Sequence, residues 1–341
     1  METLTLGPCK RLVLLGGGRL LVRFAEMVQA CGISVEVITS PRHAMESPGK
    51  GQETLTQVLK KTGISVHVIE DMGSGEGRDA VGDGGNSLFL SIGAAWKFSK
   101  LMLDEMFHGT LLNLHGTRLP QYRGGGMFSW QILNGDRLGF CLLHKVDPGF
   151  DTGDIVAWRE FLYPSSCRVP ADYMDRYEVE NVNFLEQTIL PVFSSNKAFS
   201  PSAQPEYLST YWPRLNTAKH GWIDWSLPAD QLDRFICAFD DPFPGAQTMW
   251  NGKTVHLKKC QTNNNDGIFH PFQNGLVYRN NQRWLNIAAQ GGNLIVESIT
   301  DDSGRDLISE IAVGERLSTP GKNLEKALER VVYTPTGLKK E

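Results

Sequence analysis

Short apolar runs alternate with amphipathic segments through the first third of the chain, and no other feature restricts the fold as much. Residues 11–15, 34–38, 64–69, 87–92 and 110–114 are apolar runs of strand length. Between the first two, Leu20, Leu21, Phe24, Val28 and Cys31 recur at helical spacing, with Gly32 as a C-cap. Residues 52–61 repeat the helical pattern before Gly63, and residues 100–108 repeat it again. Strands this apolar are buried on both faces, so helices must cover them. A strand–helix repeat of roughly 25–30 residues is that of a parallel α/β fold. Residues 73–86, GSGEGRDAVGDGGN, carry so many glycines that they read as a mobile surface loop.

Further along, residues 127–133 read as a helix closed by Asn134-Gly135, and residues 140–146 and 155–162 as strands flanking an acid-rich turn. Residues 179–190 place Val182, Leu185 and Ile189 on one helical face, and Pro191 ends that helix. Residues 194–215 include Pro201, Pro205 and Pro213 and have the composition of a linker. After them come a helix at 229–239, five short strands (247–250, 254–260, 275–279, 284–288, 292–299) and a last helix within 324–332. Short strands with polar turns suggest a small barrel-like β domain. A chain of 341 residues suits two domains. The expected division is a domain at 1–200, a linker at 201–215, and a helix plus β domain at 216–341.

Net charge is −4 and the isoelectric point about 6.1, which argues against a dedicated nucleic-acid binder. The N-terminal apolar run is too short for a signal-peptide core, and no stretch of ~18 apolar residues occurs. The cysteines at 9, 31, 141, 167, 237 and 260 are scattered, without CxxC spacing, and read as reduced thiols. A cytoplasmic protein is expected, with no membrane partner.

The chemistry concentrates in residues 110–155. Asn113 and His115 are two apart, on one face of an extended strand, at the carboxyl end where open α/β sheets place ligands. Asp147, Asp151 and Asp154 follow in a Gly-rich turn. An amide, an imidazole and a carboxylate suit acyl transfer if the fold gathers them. A lone histidine at a strand end is more often structural, but Asn113 and the acidic turn favour catalysis here. His144 and His256 lie inside strands and read as structural. The acidic turn lacks the ligand run and terminal Glu of a Ca²⁺ loop, so no metal is expected. Gly16-Gly17-Gly18 ahead of a helix could offer N–H groups to a phosphate or could simply form a tight turn. Trp96, Lys97 and Phe98 follow the fourth strand, and their aromatic rings could line a flat-ring pocket or belong to the core.

Asn113-Leu114-His115, Leu119-Pro120, Tyr122-Arg123-Gly124, Gly135-Asp136 and Asp147-x-Gly149-x-Asp151-Thr152-Gly153-Asp154-Ile155 together resemble the signature of the N10-formyltetrahydrofolate-dependent formyltransferases. GWIDWSLPADQLDRFICAFDDPFPGA is similar to the segment leading into the C-terminal β domain of methionyl-tRNA formyltransferase and its relatives. Gly116-Thr117-Arg118 and Gly125-Gly126 depart from the usual pattern on the substrate side. The resemblance implies a Rossmann-like doubly wound parallel sheet followed by a smaller, OB-like β domain. It implies Asn113, His115 and Asp151 as the catalytic set. It also implies N10-formyltetrahydrofolate as co-substrate, held near Ser91, Trp96, Lys97 and Phe98 and by Val146, Asp147 and Gly149.

Within that family the acceptor is a primary amine. Residues 200–341 hold 15 Lys/Arg and 16 Asp/Glu, too balanced for the phosphates of an acceptor stem. A glycinamide ribonucleotide enzyme would be shorter and lack the β domain. The favoured acceptor is a deoxyamino sugar linked to dTDP or UDP, in surface polysaccharide synthesis. Candidates for its contacts are Gly17, Gly18, Arg19, Arg42, Tyr122, Arg123 and Gly124. Methionyl-tRNA formyl transfer, formyl-folate hydrolysis and non-catalytic binding of folate or sugar nucleotide are the alternatives. The β domain could serve as a homodimer interface or as a second binding site.

Overall fold

The alternating runs become a single mixed sheet. The computed structural model describes residues 3–49, 51–263 and 265–339. Its first domain runs β1 (Leu4–Leu6), β2 (Arg11–Gly16), α1 (Arg19–Ala30), β3 (Ser34–Thr39), α2 (Pro41–Met45), α3 (Leu55–Lys61), β4 (Ser65–Val68), α4 (Gly75–Val81), β5 (Ser87–Ile92), α5 (Lys100–Phe107) and β6 (Leu112–His115). It continues with β7 (Arg123–Gly124), α6 (Met127–Asn134), β8 (Leu138–Lys145), β9 (Ile155–Leu162) and α7 (Pro170–Thr188).

The seven-stranded sheet has the order β4-β3-β2-β5-β6-β8-β9. The first five are parallel, and β8 and β9 are added antiparallel. The chain direction across the sheet reverses between β2 and β5, which places a ligand crevice at their carboxyl ends. Strand alternation splits the core into two layers. Leu12 and Leu14 pack with Phe24 of α1 and Leu185 of α7, while Val13 and Leu15 pack with Val81 of α4 and Phe107 of α5.

Residues 73–86 are not a mobile loop along their whole length. Ser74 caps α4 by accepting the Gly77 N–H at 3.1 Å, and Ala80 and Val81 are buried. A Cβ on Gly77 would lie 2.6 Å from the Met72 carbonyl oxygen, so this glycine serves close packing. α2 follows from a Ser40 cap with Pro41 at the first helical position. α7 starts earlier than its apolar spacing suggests, again at a proline, Pro170.

The proline-rich stretch after α7, residues 194–215, lies on the first domain as a strap. β10 (Lys197–Phe199) pairs with β1, Ser202 bridges Ile155, and β11 (Tyr211–Trp212) runs parallel to β7. α8 (Thr217–His220) and α9 (Ala229–Ala238) follow. The antiparallel sheet beyond them contains β12 (Ala246–Trp250), β13 (Lys253–Asn263), β14 (Val277–Asn280), β15 (Leu285–Ala289) and β16 (Gly292–Thr300), in the order β12-β13-β16-β15-β14. Arg316 bridges Leu276 beside β14, and Ser318 bridges Met249 of β12, so one short segment reaches both edges. The last helix, α10 (Gly321–Ala327), ends before residue 332. A final hairpin, β17 (Tyr333–Thr334) with β18 (Gly337–Leu338), returns to the first domain, where the Arg42 N–H donates to the Pro335 carbonyl at 3.0 Å. All six cysteines are unpaired, and among the described residues no helix is long and apolar enough to cross a membrane.

Candidate active site

Strand β6 carries the amide and the imidazole. Leu112 and Leu114 go into the core, and Asn113 and His115 take the opposite face. β5 and β8 flank β6 and set Ser91 and His144 level with Asn113. Ser91 Oγ donates to Asn113 Oδ1 at 2.7 Å, and Asn113 Nδ2 donates to His144 Nε2 at 3.0 Å. His144 Nδ1 lies 2.8 Å from the Lys145 carbonyl, so that nitrogen carries the proton and Nε2 accepts. The amide is thus held in one orientation, and its second N–H is available to a ligand.

His115 sits at the end of the same strand. Its Nε2 is 2.8 Å from the Tyr122 carbonyl and 2.9 Å from Thr117 Oγ1. Donation from Nε2 to that carbonyl leaves Nδ1 with a free lone pair, facing Asp151 Oδ1 at 3.9 Å. That gap is too long for a hydrogen bond and is one that an amine nitrogen or a water can bridge. Burial lowers the His115 pKa, the Asp151 charge opposes this, and His144 adds to the lowering. The imidazole is therefore neutral near pH 7 and can take up a proton.

Asp151 comes from the turn between β8 and β9, with φ of 55°. Its Oδ2 accepts the Gly124 N–H at 2.9 Å, and Gln204 Nε2 donates to its carbonyl at 2.9 Å and to that of Gly153 at 2.7 Å. Burial works against ionisation, but His115, His144 and the Gly124 N–H outweigh it and bring the carboxyl down to about 2.

The structure gathers Asn113, His115 and Asp151 and adds His144, whose expected role was only structural. His144 is 2% exposed, but its ring also lies 3.7 Å from Asp151. The signal for it was the antiparallel register of β6 and β8, which single-strand patterns do not reveal. Ligand atoms of His115, His144 and Asp151 lie within 4.8 Å of one another, close enough to chelate a cation. Such an ion would take the His144 Nε2 lone pair and break the bond that orients Asn113.

The expected folate contacts divide. Ser91 positions Asn113. Trp96 and Val146 are partly buried at the edge of one apolar cluster, and Trp96 Nε1 donates to the Glu70 carbonyl at 3.0 Å. Lys97 is exposed. Phe98 is 6% exposed and meets Phe107 edge-on at 5.5 Å, so its ring belongs to the core. Asp147 Oδ1 accepts from Gly149 N at 3.1 Å and Thr152 Oγ1 at 2.6 Å, which makes Asp147 and Gly149 builders of the turn.

The expected acceptor contacts divide as well. Gly124 holds Asp151, and Tyr122 offers its carbonyl to His115 while its ring stacks on Trp212 at 5.5 Å. Arg123 is 7% exposed and committed to Gln204 and Glu206, so it braces the strap and is not aimed at a ligand. Arg19 is likewise taken by Asp175 and Glu178. Gly17 donates to the Ile92 carbonyl at 3.1 Å and abuts His43, while Gly18 opens α1. Arg42 lies beyond them in α2, paired with Glu46 at 3.1 Å.

Known proteins share this architecture. Residues 97–189 match the formyl transferase family, and residues 216–314 match the formyl transferase C-terminal domain. The methionyl-tRNA formyltransferase of Agathobacter rectalis is 28% identical over 53% of this chain, a match spanning only 55% of that protein's length. That of Geotalea uraniireducens is 25% identical, covering 86% of this chain and 90% of its own. A crystal structure of an N-formyltransferase from Helicobacter canadensis, in complex with folinic acid and dTDP-3-aminofucose, superposes with a TM-score of 0.63 at 18% identity, covering 85% of this chain and 99% of that one. With both domains matched in order, the chain belongs to the formyltransferase family.

Proposed function

We propose that the protein moves a formyl group from N10-formyltetrahydrofolate to the primary amine of a dTDP- or UDP-linked deoxyamino sugar, as a step in surface polysaccharide synthesis. The observation that carries the transfer chemistry is the fixed Asn113 amide beside a neutral His115 and an ionised Asp151. The amine nitrogen attacks the formyl carbon, and the oxygen of the tetrahedral intermediate takes the second Asn113 N–H. In comparable sites such a donor lowers the barrier by about 3 kcal/mol. His115 Nδ1 accepts the proton lost by the amine, and Asp151 stabilises the imidazolium that forms. The C–N10 bond then breaks, and the proton passes to N10 of the departing tetrahydrofolate.

Two observations support the sugar acceptor. The Helicobacter canadensis protein aligns along both domains and carries an amino-sugar nucleotide, and the near-neutral second half offers little for tRNA phosphates. The sequence relatives favour a second reading, methionyl-tRNA. Incubation with N10-formyltetrahydrofolate and either a panel of nucleotide-linked amino sugars or methionyl-tRNA, following tetrahydrofolate release, separates them. Product in the sugar arm is expected. Product in the tRNA arm alone overturns the proposal, and formate release without any amine points to hydrolysis.

A further inference from the structure

On the acceptor side of Asp151, two guanidinium groups share a single carboxylate, that of Glu46. Arg42 of α2 and Arg214 of the strap point at the same ring, that of Tyr333, with guanidinium carbons 5.6 and 4.5 Å from its centroid. Arg42 has the Glu46 carboxylate, whose side chain is 52% exposed. Arg214 has no carboxylate at ion-pair distance among the described residues. Arg42 Nε and Nδ1 of the adjacent His43 are buried without a partner, and His43 is only 7% exposed. Burial, then Arg42, then Arg214 hold the His43 imidazole down at about 3, so these groups share one field. Arg19 and Arg123, by contrast, each meet a carboxylate.

The cluster is joined to the catalytic carboxylate by a short path. Gly124 donates to Asp151, and the next residue, Gly125, packs on Arg214, where a Cβ would lie 3.0 Å from the arginine Cβ. On the far side His43 packs on Gly17, at the reversal point of the sheet. Among the described residues few bonds tie the Tyr333 hairpin to the rest of the protein, one of them the Arg42 N–H to the Pro335 carbonyl at 3.0 Å. Asn216 Nδ2 donates to the Tyr333 hydroxyl at 2.9 Å, and the hairpin has two residues in each strand. Guanidinium groups bind phosphoryl oxygens by charge-assisted, bidentate hydrogen bonds, which are stronger than contacts with an aromatic face.

We propose that Arg42 and Arg214 form a paired site for phosphoryl oxyanions, and that the Tyr333 ring occupies it until such a group displaces the C-terminal hairpin. Placed between Asp151 and the Gly17 turn, the pair holds the diphosphate of the acceptor. That assignment rests on the nucleotide-sugar reading, whereas the oxyanion site does not.

Titration calorimetry on the full chain tests it, with inorganic diphosphate and dTDP as probes. Arg214→Ala weakens both at least tenfold and flattens the salt dependence, with Arg214→Lys intermediate. Tyr333→Ala tightens both severalfold. Binding of N10-formyltetrahydrofolate stays unchanged in all three, which shows that they remain folded. Failure of the wild type to bind either probe, an Arg214→Ala affinity within twofold of wild type, or weaker binding by Tyr333→Ala each overturns the site. If both probes bind through Arg214 but no nucleotide-linked amino sugar is formylated, the site stands and the acceptor reading falls.

Discussion

The two sides of the crevice use similar polar residues and leave them in opposite states. On the formyl side, Ser91 and His144 fix both ends of the Asn113 amide, the Tyr122 carbonyl anchors His115, and Gly124 and Gln204 hold Asp151. On the acceptor side, Arg42 Nε and His43 Nδ1 are buried without partners, and two guanidinium groups face a tyrosine ring. A buried polar group without a partner is costly, so the first side is complete without ligand and the second is not. The groups proposed for the chemistry sit on strands whose register fixes them, or, for Asp151, on a turn tied down by Gly124 and Gln204. The groups proposed for recognition sit on a short helix, a strap and a terminal hairpin.

The sharpest way to break this contrast is to remove the base. His115→Asn keeps a polar side chain but loses the proton acceptor, so kcat/KM falls by ~10²–10⁴-fold while the KM for formyl-folate stays within about threefold. Near-normal turnover in steady-state assays would end the mechanism. Asn113→Ala follows, with a kcat loss of ~10²–10³-fold from the missing oxyanion donor. If instead only the KM for the acceptor rises, Asn113 binds the amine and does not stabilise the intermediate.

Phe98 tests where the formyl side ends. Its ring is buried against Phe107, so Phe98→Ala leaves a cavity and costs about 3 kcal/mol of stability by denaturant titration. Below the melting temperature the folate KM stays unchanged. A tenfold rise in KM with little loss of stability would return Phe98 to the folate pocket.

The sheet and the strand that carries Asn113 and His115 were legible because apolar alternation and parallel spacing are local properties of a chain. The residues 112–115 show this directly: their order dictates which side chains face the core and which take the opposite face. His144 was not legible in the same way, since its role depends on which residue of β8 lies opposite Asn113. Arg123 was misleading for a related reason. A basic residue beside a Gly cluster suggests a phosphate contact, and nothing local discloses that Gln204 and Glu206 return from the strap to take it. α4 was hidden because its glycines lower helix propensity while burial of Ala80 and Val81 restores it. The cluster around Tyr333 joins residues from three distant parts of the chain, and no pattern within one segment could reveal it.

Ionisation sharpens the contrast further. The Asp151 carboxyl is depressed from 3.8 to about 2, so its contribution is fully present above the unfolded value and is lost as pH falls toward the folded one. That is roughly 2 kcal/mol, visible as a stability difference between wild type and Asp151→Asn near neutral pH that shrinks on acidification toward pH ~2. His115 is lowered by burial, so the acid limb of kcat/KM lies below its ordinary value of 6.5. Asp151→Asn removes the charge that opposes the lowering, so the limb moves to still lower pH. A shift upward would mean that the limb reports another group.

The smallest effect isolates orientation from chemistry. Ser91→Ala deletes no reacting group, but it leaves Asn113 Oδ1 without its donor at 2.7 Å, and the amide can then rotate about its last torsion. A lost hydrogen bond of this kind is worth ~1 kcal/mol, so kcat falls roughly fivefold. The pH profile keeps its shape, because His115 and Asp151 are untouched. Ser91→Thr retains the hydroxyl and recovers most of the rate. If Ser91→Ala changed the folate KM instead, with kcat intact, Ser91 would be a folate contact, and the formyl side would be less self-contained than its hydrogen bonds indicate.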